Sequence, residues 1–279
     1  MILGNGVGRA LLRSFLLSGW VLLGSVIYLA VRVVGGSASQ KIIRVWYRGV
    51  YVASGLRLNV IGRPVDTPST MYVANHCSYF DVPLLGSLMD GWFVAKREVA
   101  GWPVLGFLAK ISPTVFIERR SGAVTRALDA LVKRLHTGDS VILFPEGGTN
   151  DGTAIKPFKS ALFSVAEQRD DATIVRVQPI SIAYTHLGED PITLEGLQTV
   201  AWFDEGDDGV LLHLWNLLKK GDLSVTIRFH QPVTIEGFET RKALAVHCQH
   251  QVERGIAKSL FASCIPGFSE RALVDCPET

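Results

Sequence analysis

Residues 70–83 read Thr-Met-Tyr-Val-Ala-Asn-His-Cys-Ser-Tyr-Phe-Asp-Val-Pro. The first five form a short apolar and β-branched run, which predicts a strand buried on both faces. From Asn75 the composition turns polar, and Pro83 forbids a return to central-strand pairing. The same pattern, a short apolar run ending in a polar or glycine-bearing turn, recurs along the chain. It predicts strands at Leu56–Ile61, Trp92–Ala95, Thr114–Ile117, Ser140–Phe144, Ile174–Tyr184 and Ser224–Phe229. Helical periodicity predicts Val124–His136, Lys159–Gln168 and Arg241–Phe261. Strands alternating with helices define an α/β fold, with a mixed, largely parallel sheet flanked by helices.

The chain has 279 residues, 48% hydrophobic and 19% charged, with a mean hydropathy of +0.26. That is enough apolar material for a real core, and it excludes disorder and a disulfide mini-scaffold. The first 65 residues hold eight basic side chains and no acid, so the rest carries −6 against a total of +2. A uniformly basic nucleic-acid binder is thereby excluded. Cys77, Cys248, Cys264 and Cys276 lie far apart, with neither zinc-ligand nor disulfide-framework spacing, which predicts a reducing compartment. His247 and His250 lack a third ligand nearby in sequence and read as a helix-face pair.

Ser14 to Val31 is an uncharged stretch of 18 residues between Arg13 and Arg32, a marginal transmembrane candidate. It has no small-residue cleavage site followed by an exported domain, so a signal peptide is the weaker reading. After Gly35-Gly36, Ile42, Val45, Trp46 and Val50 are expected on one helical face and Lys41, Arg44 and Arg48 on another, as in a helix lying on anionic lipid. The alternative is a core helix with a solvated basic side. The expected organisation is residues 1–50 as N-terminal membrane-associated helices and 51–279 as the α/β domain, with a motif core at 57–184 and an extension at 185–279. Basic charge after the apolar stretch favours a cytoplasmic-membrane protein whose bulk faces the cytoplasm. Thr185–Asp222 reads as an excursion packed on the domain or on the membrane. It carries Trp202, the acids Asp204, Glu205, Asp207 and Asp208, and the leucine-rich 211–218.

Chemistry-bearing residues collect at the strand exits. In the first turn, Asp81 follows His76 by five residues, where it can accept the imidazole proton and leave the other ring nitrogen as a general base; on this motif alone, a helix-capping Asp81 with a structural His76 is equally open. The second, Glu118-Arg119-Arg120-Ser121-Gly122, offers guanidinium forks suited to a phosphate. The third, Phe144-Pro145-Glu146-Gly147-Gly148-Thr149-Asn150-Asp151-Gly152, brings backbone close to an anion, with Lys156 and Lys159 following. The fourth, Val177-Gln178-Pro179-Ile180-Ser181-Ile182, is a proline-bearing strand, predicted at an edge or on a pocket wall.

In this order the four pieces resemble the glycerolipid acyltransferase family, which includes 1-acyl-glycerol-3-phosphate acyltransferase, over roughly residues 57–184. His76 and Asp81 match its His-x4-Asp pair, Arg119 its phosphate-binding arginine, and Phe144 to Gly147 its Phe-Pro-Glu-Gly motif. The resemblance implies that His76, oriented by Asp81, deprotonates a glycerol hydroxyl attacking the thioester of an acyl-carrier-protein or acyl-CoA co-substrate. It implies no cofactor, metal or acyl-enzyme. Gly147 and its neighbours would hold the oxyanion, Glu146 the acceptor's polar groups, and Arg119 with Lys156 or Lys159 its phosphate. Cys77 would be a small filler.

Many members continue the third motif with Thr-Arg, whereas this chain has Gly148-Thr149-Asn150 and then Asp151-Gly152. That form, with Trp202 and His213-Leu214-Trp215, resembles a bacterial branch in which lyso-ornithine lipid acyltransferases occur. The expected reaction is acylation of 1-acyl-glycerol-3-phosphate to phosphatidic acid at a membrane, with lyso-ornithine lipid as the alternative acceptor. A non-catalytic lipid-binding protein is the distant alternative. Neither the Gly-x-Ser-x-Gly of a serine hydrolase nor a nucleotide phosphate loop is present.

Overall fold

The computed structural model describes residues 5–34, 37–102, 104–117, 123–167, 174–202 and 209–264. Two helices come first, α1 (Asn5–Val34) and α2 (Ser37–Ala53), and then β1 (Leu56–Ile61), β2 (Thr70–Ala74), α3 (Asp81–Gly86), β3 (Trp92–Lys96), α4 (Leu105–Ile111) and β4 (Thr114–Ile117). There follow α5 (Ala123–His136), β5 (Val141–Leu143), α6 (Ser164–Glu167), β6 (Arg176–Leu187), β7 (Asp190–Pro191), α7 (Leu194–Val200), α8 (Val210–Lys219), β8 (Leu223–Phe229) and α9 (Arg241–Ser263).

The sheet order is β1-β8-β6-β2-β5-β3-β4, with β7 beside β6. Pairing is parallel except where β6 meets β8 and β7. The mixed, largely parallel α/β architecture is therefore as expected. Strand β2 lies inside the sheet and alternates between two cores. Tyr72 and Ala74 face one with Tyr47, Ile180, Ile182 and Tyr184, and Met71 and Val73 face the other with Leu131, Leu135, Cys248 and Val252. A layer on each face explains the unbroken apolar run.

The Lys159–Gln168 segment departs from the single helix expected. Lys159 is extended, Ser160–Phe163 form a 3-10 turn, and only Ser164–Glu167 are α-helical; Gln168 lies outside the described residues. The chain tightens there because Phe163 is driven fully into the second core.

Pro179 is not on an edge strand. The amide of His230 donates to the Pro179 carbonyl, and since N–H and C=O of one strand residue point the same way, the missing N–H faces the end of β8. It faces His230, next in register after the ladder pair Ile180–Phe229, and the His230 carbonyl accepts from Gln178 Nε2 at 2.9 Å in its place.

The α2 helix also differs from its expected face. Its buried residues are Ile43, Trp46, Tyr47, Val50 and Tyr51, while Val45 is exposed. α2 packs between α1 and α3, so its large aromatic side chains seek the core and its apolar face meets protein rather than lipid. Arg44 pairs with Asp90 at 3.1 Å. The α1–α2 contact is reciprocal: Trp20 covers Gly49 and Trp46 covers Gly24, so a Cβ at either glycine would overlap an indole. The Trp20 indole N–H also donates to the Trp46 carbonyl at 2.9 Å.

Candidate active site

In a parallel sheet the carboxyl ends of neighbouring strands open on one crevice. Here Val73 of β2 is in register with Leu143 of β5, so the turns beginning at Asn75 and Phe144 emerge side by side, although about 70 residues separate them in sequence.

The Asp81 carboxylate is fully buried and turns back into its own loop. Oδ2 meets His76 Nδ1 at 2.8 Å and accepts from the amides of Cys77 and Ser78 at 2.9 and 3.0 Å. Oδ1 accepts from the Tyr184 hydroxyl of β6 at 2.7 Å. No side chain caps α3. A carboxylate accepts only, so His76 Nδ1 carries a proton, and in the neutral ring Nε2 holds the lone pair. The imidazole also stacks on Phe144, with centroids 3.9 Å apart and planes 16° from parallel. With 17% of its side chain exposed, His76 is held in one orientation with access to the cleft.

The third motif meets the first through Glu146. Its Oε1 accepts from the His76 amide at 2.8 Å, and its Oε2 accepts from Asn150 Nδ2 and the Lys156 amide, both at 2.7 Å. The Asn150 amide in turn donates to the His76 carbonyl at 2.9 Å. Burial raises the Glu146 pKa, and the donors from Asn150, Lys156 and His76 oppose that rise. Glu146 is thus directed at the backbone of His76 through Oε1 and at Asn150 and Lys156 through Oε2. Gly147 sits at φ +76°, and its N–H donates to the Phe144 carbonyl at 3.0 Å. It provides the left-handed turn and the close passage of the Lys159 ammonium, which a Cβ would overlap. Lys156 Nζ donates to the Thr149 carbonyl at 2.8 Å.

The structure therefore brings together His76, Asp81, Glu146, Gly147, Lys156 and Lys159. Arg119 and Arg120 lie outside the described residues, as do Asp204, Glu205, Asp207 and Asp208. Cys77 is buried, and burial together with Asp81 and Glu146 holds its thiol well above the usual range, which suits filling rather than nucleophilic attack. Among the described residues no cluster of His, Cys, Asp and Glu has a metal-binding arrangement.

Sequence reasoning missed several supports. Tyr184 reads as one more apolar strand position, and nothing local marks its hydroxyl. Burial, with Asp81 beside it, raises its pKa well above normal, so it stays a donor. Asn75, quoted in the motif without a role, brackets Ile182 on β6, its side chain donating to the carbonyl at 2.9 Å and accepting from the amide at 2.8 Å. Behind the loop, His213 of α8 lies 2.9 Å from the Thr199 carbonyl through Nε2 and 3.0 Å from the Tyr79 hydroxyl through Nδ1. A carbonyl only accepts, so Nε2 carries the proton and Tyr79 donates to Nδ1. Burial lowers the His213 pKa and keeps it neutral. The Trp202 amide donates to the Cys77 carbonyl at 2.8 Å, so the excursion clasps the His76–Asp81 loop from outside.

The family model described as Acyltransferase matches residues 57–183. The lyso-ornithine lipid O-acyltransferase of Brucella abortus is 33% identical over 231 residues, covering 81% of this chain and 86% of that protein. The chain belongs to the acyltransferase family. A second relative, the 1-acyl-sn-glycerol-3-phosphate acyltransferase of Neisseria meningitidis serogroup B, is 38% identical over 122 residues, covering 43% of this acyltransferase and 48% of its own length. The crystal structure of the 1-acyl-sn-glycerophosphate acyltransferase of Thermotoga maritima superposes with a TM-score of 0.64 at 22% identity, over 90% of this acyltransferase and 94% of that chain, which establishes the shared fold.

Proposed function

We propose that this acyltransferase moves a fatty acyl group from an acyl-carrier-protein or CoA thioester to the free hydroxyl of a lyso-ornithine lipid, with 1-acyl-glycerol-3-phosphate as the second reading. His76 Nε2 takes the proton of the acceptor hydroxyl as its oxygen attacks the thioester carbonyl. Collapse of the tetrahedral intermediate expels the thiolate, to which His76 returns the proton. Asp81, supplied with donors by Tyr184 and two amides, holds the imidazole and compensates its transient charge. The exposed Lys159, beside Gly147, is the cation assigned to an anionic group of either substrate.

The observation that carries the choice of acceptor is the extent of similarity. The relative named for lyso-ornithine lipid matches over 81% of the chain, and the one named for the phosphate acceptor over 43%. The site agrees with this choice. Residues 148–150 are Gly-Thr-Asn, with Asn150 3% exposed and bonded to Glu146, so this stretch presents no arginine to a phosphate. An ornithine headgroup carries a carboxylate and an ammonium but no phosphate.

The proposal also places the site at the cytoplasmic face of the membrane. Gly6–Val33 is long and apolar enough to cross a bilayer. Both parts of α1 are nevertheless tied to the one domain: Arg13 pairs with Asp222, and Arg32 donates to the Ile111 carbonyl at 3.3 Å. This favours a helix embedded alongside the domain over one projecting through the bilayer.

The test offers detergent-solubilised protein lyso-ornithine lipid and lysophosphatidic acid separately, with each thioester donor and with His76→Ala as control. Transfer to lyso-ornithine lipid that vanishes in the variant is expected. Transfer only to lysophosphatidic acid would reverse the acceptor, and transfer to neither would refute the reaction.

A further inference from the structure

The α8 helix, in the sequence Val-Leu-Leu-His-Leu-Trp-Asn-Leu-Leu-Lys, has two sides with different partners. Leu217 and Leu218 are buried, and His213 reaches inward to Tyr79. On the other side Leu211 and Leu212 are 62% and 64% exposed. Adjacent exposed leucines on a surface helix are unusual unless something apolar covers them.

What covers them is indicated by the neighbour. α8 packs along α1. The first turn of α1 abuts the last turn of α8, where a Cβ on Gly6 would come within 3.0 Å of the Lys219 carbonyl. Arg9 donates to the Lys220 carbonyl and Arg13 to that of Gly221. The outward side of α1 carries Leu11, Leu12, Phe15, Leu16, Leu22 and Leu23, all exposed, and this is the helix apolar enough for a bilayer. The α8 leucines extend that apolar surface. Arg9 and Lys220, both exposed, and the half-buried Lys219 and Trp215 stand around it, the residue types that settle at a lipid headgroup boundary.

We propose that α8 is a membrane-contacting element beside α1, entering the acyl boundary of the lipid surface through Leu211 and Leu212. The proposal rests on the membrane-bound reading given above and adds a contact lying in the excursion after the motif core. It has a mechanical consequence. The helix that meets lipid on one side holds Tyr79 of the His76–Asp81 loop on the other, so the position α8 takes in the membrane is transmitted to the loop that carries the base.

The test is co-sedimentation of the full chain with phosphatidylcholine vesicles, with and without phosphatidylglycerol, comparing wild type with Leu211→Glu/Leu212→Glu. The milder Leu211→Ala/Leu212→Ala pair and Val246→Glu, an exposed apolar position on α9, serve as references. Partition of the glutamate pair is expected to weaken by about tenfold or more, given roughly 0.8 kcal/mol for each CH₂ withdrawn from lipid. The alanine pair should fall between it and wild type, and Val246→Glu should be unchanged. Activity toward detergent-dispersed acceptor and the melting temperature should stay at wild-type values, which separates lost contact from lost folding. Equal partition of wild type and both Leu211/Leu212 pairs would overturn the α8 contact while leaving membrane binding intact. Failure of wild type to sediment would overturn the membrane reading and this proposal with it. A change in oligomeric mass without a change in partition would assign the face to a second copy of the chain and overturn it too.

Discussion

The hydroxyl of Tyr184 donates to Asp81 Oδ1 at 2.7 Å, joining the centre of β6 to the start of α3 across 103 residues. It supplies one of four polar contacts to a carboxylate that water does not reach. Tyr184→Phe removes that donor, together with the hydroxyl's hydrogen bond to the Ser78 side chain. Since a hydrogen bond to a buried charged group contributes about 1.5–3 kcal/mol, the variant should lose stability of that order, and kcat should fall by about tenfold as the His76–Asp81 pair loosens. Denaturant unfolding and steady-state kinetics on one preparation check both; wild-type kcat would show that Tyr184 is not a positioning residue.

His76→Ala should lower turnover by about 10²–10⁴-fold, the range expected for loss of a general base, and cost about 1.5–3 kcal/mol of stability, because the buried Asp81 Oδ2 loses a donor. Asp81→Asn should also fall steeply. Its amide cannot accept from His76 Nδ1 and both loop amides as the carboxylate does, so the imidazole loses its fixed tautomer. Activity assays paired with thermal melts distinguish these from misfolding.

Glu146→Gln should damage stability and catalysis together. The glutamine places an amide group opposite donors, Asn150 Nδ2 and the Lys156 N–H, that Glu146 Oε2 now satisfies. Leaving one such donor unpaired costs about 1–3 kcal/mol. Because Oε1 also holds the His76 amide, kcat should drop with the melting temperature. A variant that changes KM for the acceptor alone would instead place Glu146 in direct contact with substrate.

His230 governs an acid-side loss of stability. Its ring lies 2.5 Å from Ser181 Oγ, and burial, followed by Arg228, Lys258, Arg254 and His247, pushes its pKa down from 6.5 to about 4. The folded state resists protonation that the unfolded chain accepts. Stability should therefore be complete above about pH 6.5 and decline as pH falls toward about 4, by about 3 kcal/mol from this group alone. Urea unfolding at pH 8, 6 and 5 should show the decline, and His230→Gln should flatten it; parallel profiles would remove His230 as the cause.

Residues 70–83 and the runs like them were legible because strand length, two-faced burial and turn composition are local properties. The strand at 56–61, the one at 70–74 and the long helix from Arg241 could all be read from nearest-neighbour pattern. So could the clustering of His76, Asp81 and Glu146 at strand exits, which follows from the carboxyl ends of parallel strands sharing one side of a sheet. Three features were decided by contacts between distant segments. Tyr184 reaches Asp81, and Asn75 reaches Ile182, only because β6 pairs with β2 in one register. Glu146 serves the His76 backbone only because β5 lies on the other side of β2. The apolar face of α2 meets protein because α1 and α3 close over it, where its composition alone also suited lipid. Amphipathic spacing states that a face must be covered, and residue type states what a side chain can donate or accept. Which partner does the covering and the accepting depends on the packing of segments that are remote in sequence, and that only the tertiary structure decided.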